Sequence, residues 1–268
     1  MIAAGGPVLS RMQRFEKLEY PATPAVDVDA KKAGDAPEVL LNFDCYTGTS
    51  SDKLYKYTIT WNGGKASISA KQTIKLGKIY LTPNAGSHLM DCAQPDQGVK
   101  LRADGGRRTE SVFAYEGSVF GCNGTKVNAE GRPGILWYEV RVSDGNLMQE
   151  GFVEDAKRDY LYSTLAVDGK GNVGIGCTGT SETEFPSVYV MMHAAGDAAG
   201  TMRAPVPAMK GTTYYRYPGV RAVNWSNYSS TCIDPSDPGL LWTFQGYAAS
   251  EVEKEWCSAW AAFGIAGR

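Results

Sequence analysis

The sequence contains only two histidines, His88 and His193, which lie far apart in the chain. A histidine-based metal site and a Ser-His-Asp triad both need such residues close together, so the sequence offers little material for either. Its six cysteines show no Cys-x-x-Cys spacing, which argues against a structural zinc site. We therefore predict no catalytic residue, no metal site and no cofactor, and nothing indicates bound calcium.

The chain also has little net charge and no long apolar run. Lys and Arg total 27 against 29 for Asp and Glu, a net charge of −2, so we expect no nucleic-acid partner. No stretch reaches the roughly 18 apolar residues of a transmembrane helix, so we expect no membrane partner. Residues 1–15 are too weakly apolar for a signal peptide. This favours a chain that begins inside a longer protein over one that has lost its signal.

Amphipathic-helix periodicity is almost absent, and even residues 250–262 fit a loop entering a strand. In contrast, 31 Gly, 13 Pro and 15 Tyr indicate many turns between half-buried strands. Asn62-Gly63 between two alternating runs is a strong hairpin signal. The chain is therefore predicted to be all-β, with strands at 38–46, 54–61, 65–74, 111–115, 118–122, 135–142, 147–153, 163–167, 173–178, 187–192, 229–233, 241–247 and 260–265.

These strands fall into groups that repeat. The second strand of each group carries a similar motif: Phe43-Asp-Cys45, Phe120-Gly-Cys122, Ile175-Gly-Cys177 and Phe244-Gln-Gly246. A repeat of about 40 to 70 residues with four short strands per unit is typical of a β-propeller. Each four-stranded blade buries its faces against the neighbouring blades, which explains why the unit must recur.

Four segments, residues 162–176, 199–205, 224–238 and 241–248, carry a more specific likeness. In them the chain resembles bacterial secreted β-propeller proteins that are loosely sialidase-like, of the Asp-box type. The resemblance implies a propeller, or the C-terminal part of one, with about four blades of four-stranded antiparallel sheets. Residues 1–268 would form one domain, with 1–36 as the end of a preceding blade and a linker, and 37–268 as the four blades.

The turn motifs favour structural roles. Asp237-Pro-Gly239-Leu-Leu-Trp242 matches the second half of an Asp-box, in which the aspartate caps the turn and the tryptophan packs between blades. We predict that Asp168 and Asp234 cap turns in the same way.

Candidate ligand-binding arginines precede the first strands of the groups, near the mouth of the expected central channel. A sialidase-type site needs three arginines around a substrate carboxylate. The alternative is that each arginine pairs with a carboxylate of a neighbouring blade. The candidates are Arg107, Arg108, Arg158, Arg216 and Arg221.

Aromatic residues give the best ligand-binding candidate. The run Tyr214 to Tyr217 lies near Trp225 and Tyr228, and such rings stack on sugars. Tyr162, which opens one of the resembling segments, completes the predicted set. The alternative is ordinary packing between blades.

Cysteines and glycosylation sequons bear on the compartment. Cys232 and Cys257 fall in the last group and form our predicted disulfide, which fits an oxidising compartment. Cys45, Cys122 and Cys177 occupy equivalent positions, too far apart to pair with one another. Sequons begin at Asn123, Asn224 and Asn227. We predict an extracellular or secreted protein.

The combined pattern favours a secreted binding or structural module that presents a loop face to a glycan or a protein partner, alone or within a larger chain or assembly. The alternative is a sialidase-like glycoside hydrolase or polysaccharide lyase, suggested by the arginine placement. Glycosidases need two carboxylates at a defined separation, and the sequence places no two of them face to face. The interpretation as an enzyme therefore stays open, with binding favoured.

Overall fold

The fold is all-β. The computed structural model describes residues 15, 18, 22–27, 37–45, 49–62, 64–82, 90–95, 99–103, 109–217, 219–225, 228–249 and 255–265, and this part of the chain contains strands and no helix. It accordingly holds no long apolar helix of the kind that crosses a membrane.

The described strands are short and follow one another closely. In chain order they are β1 (Thr23–Asp27), β2 (Glu38–Phe43), β3 (Ser50–Asn62), β4 (Lys65–Ile68), β5 (Gln72–Leu81), β6 (Asp91–Cys92), β7 (Lys100–Arg102), β8 (Ser111–Tyr115), β9 (Ser118–Thr125), β10 (Gly134–Arg141), β11 (Leu147–Val153), β12 (Asp159–Val167), β13 (Val173–Ser181), β14 (Glu184–His193), β15 (Val206–Met209), β16 (Ala222–Asn224), β17 (Ser230–Ile233), β18 (Leu241–Tyr247) and β19 (Cys257–Phe263).

Four antiparallel units account for most of these strands. Blade 2 (β8 to β11) and blade 3 (β12 to β15) are four-stranded meanders in which each strand pairs with the next. Blade 1 runs from β1 through β2 to β3, and β4 and β5 pair with different parts of β3. Blade 4 consists, among the described residues, of β17, β18 and β19.

The blades stack face to face in chain order. One apolar core joins blade 1 to blade 2 and includes Leu41, Phe43 and Leu136. A second core lies between blades 2, 3 and 4 and includes Trp137 and Ile175. This succession of stacked meanders is the arrangement of propeller blades, as predicted.

Strand β1 corrects the predicted boundary at residue 36. It pairs antiparallel with β2 and parallel with β8, so Thr23–Asp27 is the first strand of blade 1 rather than the end of a preceding blade. The parallel pair joins blades 1 and 2 into one nine-stranded sheet.

The repeated motif of the second strands is confirmed. Cys45 lies two residues after the end of β2, Cys122 lies in β9 and Cys177 lies in β13, and all three side chains are buried. These are the second strands of blades 1, 2 and 3. In blade 4, Gly246 of β18 takes the position. Burial raises the pKa of the Cys122 thiol to about 12, so this cysteine acts as a small buried side chain.

The predicted disulfide between Cys232 and Cys257 is wrong, because neither cysteine is bridged. Strand β18 lies between these cysteines: Cys232 pairs with Trp242, whereas Cys257 pairs with Tyr247, five residues further along. Five residues span about 16 Å, beyond the roughly 7 Å between Cα atoms that a disulfide tolerates.

Burial also excludes one predicted glycosylation site. The Asn123 side chain is fully buried in β9, so an oligosaccharide transferase cannot reach it in the folded protein. Asn224, at the end of β16, is exposed, and Asn227 lies outside the described residues.

A small side sheet covers one end of the stack. Strand β7 pairs antiparallel with β6 and parallel with β16, and the Ala93 amide donates to Asp159 at the start of β12 (2.8 Å). Segment 211–217 lies nearby, since the Thr212 amide donates to the Ala248 carbonyl at the end of β18 (2.8 Å). We call the side sheet with residues 211–217, 219–225 and 228 the loop end.

Two aspartates cap turns at the opposite end, as predicted. Asp168 Oδ1 accepts the Lys170 amide (2.8 Å) and the Asn172 amide (2.9 Å). Asp234 Oδ1 accepts the Ser236 amide (2.7 Å), and its Oδ2 accepts Trp242 Nε1 (2.7 Å). The Asp-box tryptophan is therefore tied to Asp234.

The Asp234 turn predicts a pH dependence. Hydrogen bonds from Ser236 and Trp242 hold the pKa of Asp234 below its ordinary value of 3.8. A carboxylate with a lowered folded-state pKa stabilises the protein above the unfolded-state pKa, and this contribution is lost as the pH falls. We expect Asp234→Asn to melt at a lower temperature than the wild type, and we expect this difference to become smaller as the pH falls from about 6 to about 3.

Thermal unfolding of both proteins across this range checks the expectation. Asp237→Asn, in the same turn, is the control, because the Asp237 side chain accepts the Gly239 amide (2.9 Å) and does not bond the tryptophan. A difference that is independent of pH would contradict the role assigned to the Asp234 charge.

Candidate functional site

Three aromatic rings connect the core to the surface at the loop end. The ring centroid of Trp225 lies 5.4 Å from that of Tyr215, and Tyr215 lies 5.8 Å from Tyr217. Trp225 is fully buried, Tyr215 is buried, and Tyr217 is 42% exposed. We call this series the aromatic stack. It fixes an exposed tyrosine on a buried support.

The base of the aromatic stack is anchored by hydrogen bonds. Trp225 Nε1 donates to Thr178 Oγ1 (3.1 Å), and Thr178 Oγ1 donates to the Gly246 carbonyl (2.9 Å). Gln94 receives the Tyr215 amide (2.9 Å) and donates to the Tyr215 carbonyl (2.7 Å). Burial, together with the Tyr217 hydroxyl, raises the pKa of Tyr215 to about 12, so this phenol stays protonated.

Trp225 and Tyr162, predicted to bind ligand, are core residues instead. Both belong to one buried apolar cluster with Leu101 and Val223 of the side sheet. Tyr162 sits at an irregularity of β12 with a φ of 52°, and its carbonyl accepts the Ser229 hydroxyl (3.0 Å). The alternative of internal packing is therefore correct for these two residues.

Other members of the predicted set lie nearer the surface. Tyr228 is 81% exposed, and Arg221 is exposed beside β16. The Arg216 guanidinium lies over the Tyr214 ring, 4.7 Å from its centroid. The loop end thus presents two tyrosines and two arginines to solvent or near it. Arg107 and Arg108 lie outside the described residues.

Arg158 pairs with carboxylates, but with those of its own blade and the loop before it, whereas its alternative interpretation predicted a carboxylate of a neighbouring blade. Its Nε donates to Glu184 (2.8 Å) and its Nη1 donates to Asp155 (3.1 Å). The guanidinium also lies over the Tyr189 ring, 4.5 Å from the centroid. Since Glu184 belongs to the same blade, Arg158 stabilises blade 3 internally.

A second charged cluster at this end was missed by sequence reasoning. Arg132 Nη1 donates to Asp159 (2.9 Å), and Arg132 Nη2 donates to both oxygens of Glu182 (2.9 and 2.8 Å). Burial raises the pKa of Asp159, although the Ala93 amide and Arg132 oppose this effect. Arg132 lies in the loop before β10, a position that no motif marks.

This cluster lacks the geometry of a catalytic pair. The Asp159 side chain is 4% exposed, and donors already occupy both of its oxygens. A general acid must reach the proton acceptor on its substrate, so a sealed carboxylate cannot serve. Arg132 thus fastens the β9–β10 loop of blade 2 to Asp159 and Glu182 of blade 3.

Tyr189, which pairs with Glu184 in blade 3, does not have the properties of an activated nucleophile. The Tyr189 hydroxyl donates to Glu184, and burial with the neighbouring carboxylate raises the pKa of Tyr189. Activation would require a lowered pKa and access to substrate, and Tyr189 is buried. Within the described ranges, no three His, Cys, Asp or Glu side chains are grouped to hold a metal ion.

A pocket of about 220 Å³ lies at the opposite end, between the turns of blades 3 and 4. Arg203 in its wall pairs with Asp197 (2.8 Å), which lowers the pKa of Asp197 to about 2. Asp168 in the same wall is bound by its own turn. The two carboxylates that line the pocket, Asp168 and Asp197, therefore already accept hydrogen bonds from protein donors.

No family model and no curated protein matches the chain. Among solved structures, it is similar to the Penicillium chrysogenum alpha-L-arabinanase complexed with arabinobiose, with 10% identity and a TM-score of 0.38, over 85% of this chain and 71% of the other. A likeness of this degree supports no conclusion about the function of this chain.

Proposed function

We propose that the protein is a non-catalytic carbohydrate-binding module and that the loop end is its binding surface. The observation that carries the proposal is the exposed Tyr217 ring, held by the buried Tyr215 and Trp225. Sugar rings stack on aromatic faces, and phenol hydroxyls bond sugar hydroxyls.

The rigidity of the aromatic stack is what suits it to binding. A side chain that is already fixed loses little conformational entropy when a ligand arrives, so more of the contact energy remains as affinity. Arg221 and Arg216 add donors to the loop end, and guanidinium groups can bond sugar hydroxyls or carboxylates. An acidic or neutral glycan fits this combination.

The charged groups at this end support binding rather than turnover. Asp159 is sealed by Arg132 and Ala93, and Glu184 is engaged by Arg158 and Tyr189. Hydrolysis by the usual route would require two accessible carboxylates at a defined separation. These pairings tie the carboxylates to the framework of blade 3.

Substitution of the exposed tyrosines tests the binding surface. The wild-type chain is screened on a glycan array, and affinities for its best ligand are measured by calorimetry. We expect Tyr217→Ala and Tyr228→Ala each to weaken binding about ten-fold, because each removes a stacking face. Melting temperatures should change little, since both rings are largely outside the core.

Trp61→Ala is the matched control, because Trp61 is an exposed aromatic residue (38%) in the β3–β4 hairpin of blade 1. Its glycan affinity should equal that of the wild type. If Trp61→Ala weakens binding as much as the two tyrosine variants, the loop end is not the binding surface.

The competing function is a glycoside hydrolase or polysaccharide lyase. A panel of chromogenic glycosides and uronic-acid polysaccharides separates it from the binding module. Turnover by the wild type would overturn the non-catalytic proposal, whereas ligand retention without product supports it. A protein partner at the loop end and an extracellular location remain predictions from the sequence.

A further inference from the structure

The last blade presents an uncharged and partly exposed sheet face. Blade 4 packs on blade 3 through Leu241, Thr243 and Phe263, which are buried. Side chains alternate along strands, so the other face carries the remaining positions. Those positions are Ser230, Cys232, Trp242, Phe244, Gly246, Ser258, Trp260 and Ala262. We call them the outer face.

The outer face exposes aromatic and small side chains to solvent. Trp260 is 64% exposed, and its ring lies 5.0 Å from that of Phe244. Cys232 and Ala262 are exposed as well. A cluster of exposed aromatic and small side chains without a charge marks an interaction site on a folded protein.

The outer face of blade 1 differs from that of blade 4, because side chains of the same chain already pack on it. Leu40, Tyr55 and Tyr57 form the corresponding cluster there, and Leu18 and Ala22 already pack against it. The two ends of the blade stack are thus different: Leu18 and Ala22 pack on the outer cluster of blade 1, whereas the outer face of blade 4 is open among the described residues.

We propose that the outer face of blade 4 binds the outer face of a second copy of this chain. The eight positions of the outer face carry no charge, and the Asp234 carboxylate at its edge is already held by Trp242 Nε1 (2.7 Å), so two copies of the face meet little repulsion. Stacked sheets pack with their strands nearly aligned. The partner would thus add one more sheet to a series that already stacks sheet on sheet.

The distribution of large and small side chains makes the outer face complementary to itself. Strand β18 lies in the middle, with small residues on β17 and Trp260 on β19. A two-fold axis along β18 exchanges the flanking strands. In the pairing register, Trp260 then lies over Ser230 of the partner subunit and Phe244 lies near its own symmetry mate.

Three strands offer a modest area, so we expect a weak dimer whose population depends on concentration. Light scattering of the full chain over a concentration series checks this. Trp260→Glu should abolish the dimer, because it places two charges in the interface. Ser230→Trp should also abolish it, because the new ring would occupy the space of the partner's indole. Trp61→Glu, elsewhere on the surface, should leave the dimer unchanged.

Thiol labelling distinguishes the occupants of the outer face. In a Cys257→Ser background, the remaining thiols other than Cys232 are buried. We expect alkylation of Cys232 to slow as the concentration rises and to become concentration-independent in Trp260→Glu. A monomer at every concentration with reactive Cys232 overturns the proposal. A monomer with protected Cys232 overturns it too, since another segment of the same chain would then cover the face.

Discussion

Gly176→Val is expected to lower the free energy of unfolding by about 3 kcal/mol. Gly176 lies in β13 and faces blade 4, and a Cβ atom there would lie 2.0 Å from Thr243 Oγ1 and 2.7 Å from Thr243 Cβ. Thr243 cannot move aside cheaply, because it is fully buried and bonds Thr231 (2.9 Å) and Ser230 (3.1 Å). The new side chain must therefore push two blades apart.

Urea denaturation of the variant measures this cost. Gly196→Val is the matched control, because no atom lies within 4 Å of a Cβ at Gly196; we expect a change within about 0.5 kcal/mol. The double variant Gly176→Val with Thr243→Ala should be less destabilised than the sum of the single changes. Simple additivity would show that the close contact with Thr243 is not the cause.

The second large effect concerns Trp225. We expect Trp225→Ala to lower the free energy of unfolding by about 3–5 kcal/mol, because it empties a fully buried indole site. Trp225→Phe should cost less, since it mainly removes the bond to Thr178, worth about 1 kcal/mol. Trp61→Ala should change stability much less than Trp225→Ala does.

Urea denaturation again supplies the measurement, and glycan affinity gives a second one. If Trp225 is a support, Trp225→Phe keeps most of the affinity because Tyr215 and Tyr217 stay in place. A variant of unchanged stability that no longer binds glycan would instead identify Trp225 as a residue that touches the ligand.

The sequence predicts the order of the strands well because adjacent strands pair locally. Ser111–Tyr115, Leu147–Val153 and Leu241–Tyr247 have the expected bounds, and the motif ending at Cys122 and Cys177 marks equivalent strands. Turn residues and alternating side chains encode these features within a few residues. The turn-capping roles of Asp168 and Asp234 are local for the same reason.

Pairings between distant segments were not predicted. The side sheet joins Leu101 to Val223, and β1 joins Ala25 to Val112. No short sequence pattern predicts parallel pairing between strands that lie far apart in the chain. They also decide what is buried: the cluster containing Leu101 and Val223 encloses Trp225 and Tyr162, which is why two aromatic residues resembling a binding surface prove to be core.

The parallel pair of β1 and β8 has a consequence for how the molecule acquires its structure. Thr23 Oγ1 donates to the Thr109 carbonyl (2.6 Å) across 86 positions of sequence, so this seam closes only after all of blade 1 has been synthesised and the start of blade 2 has emerged. Blades 3 and 4 are each assembled from hairpins of neighbouring strands and need no such long-range closure. The β1–β8 seam is therefore the contact of high contact order between blades 1 and 2, and the loss of either blade exposes the edge of the other.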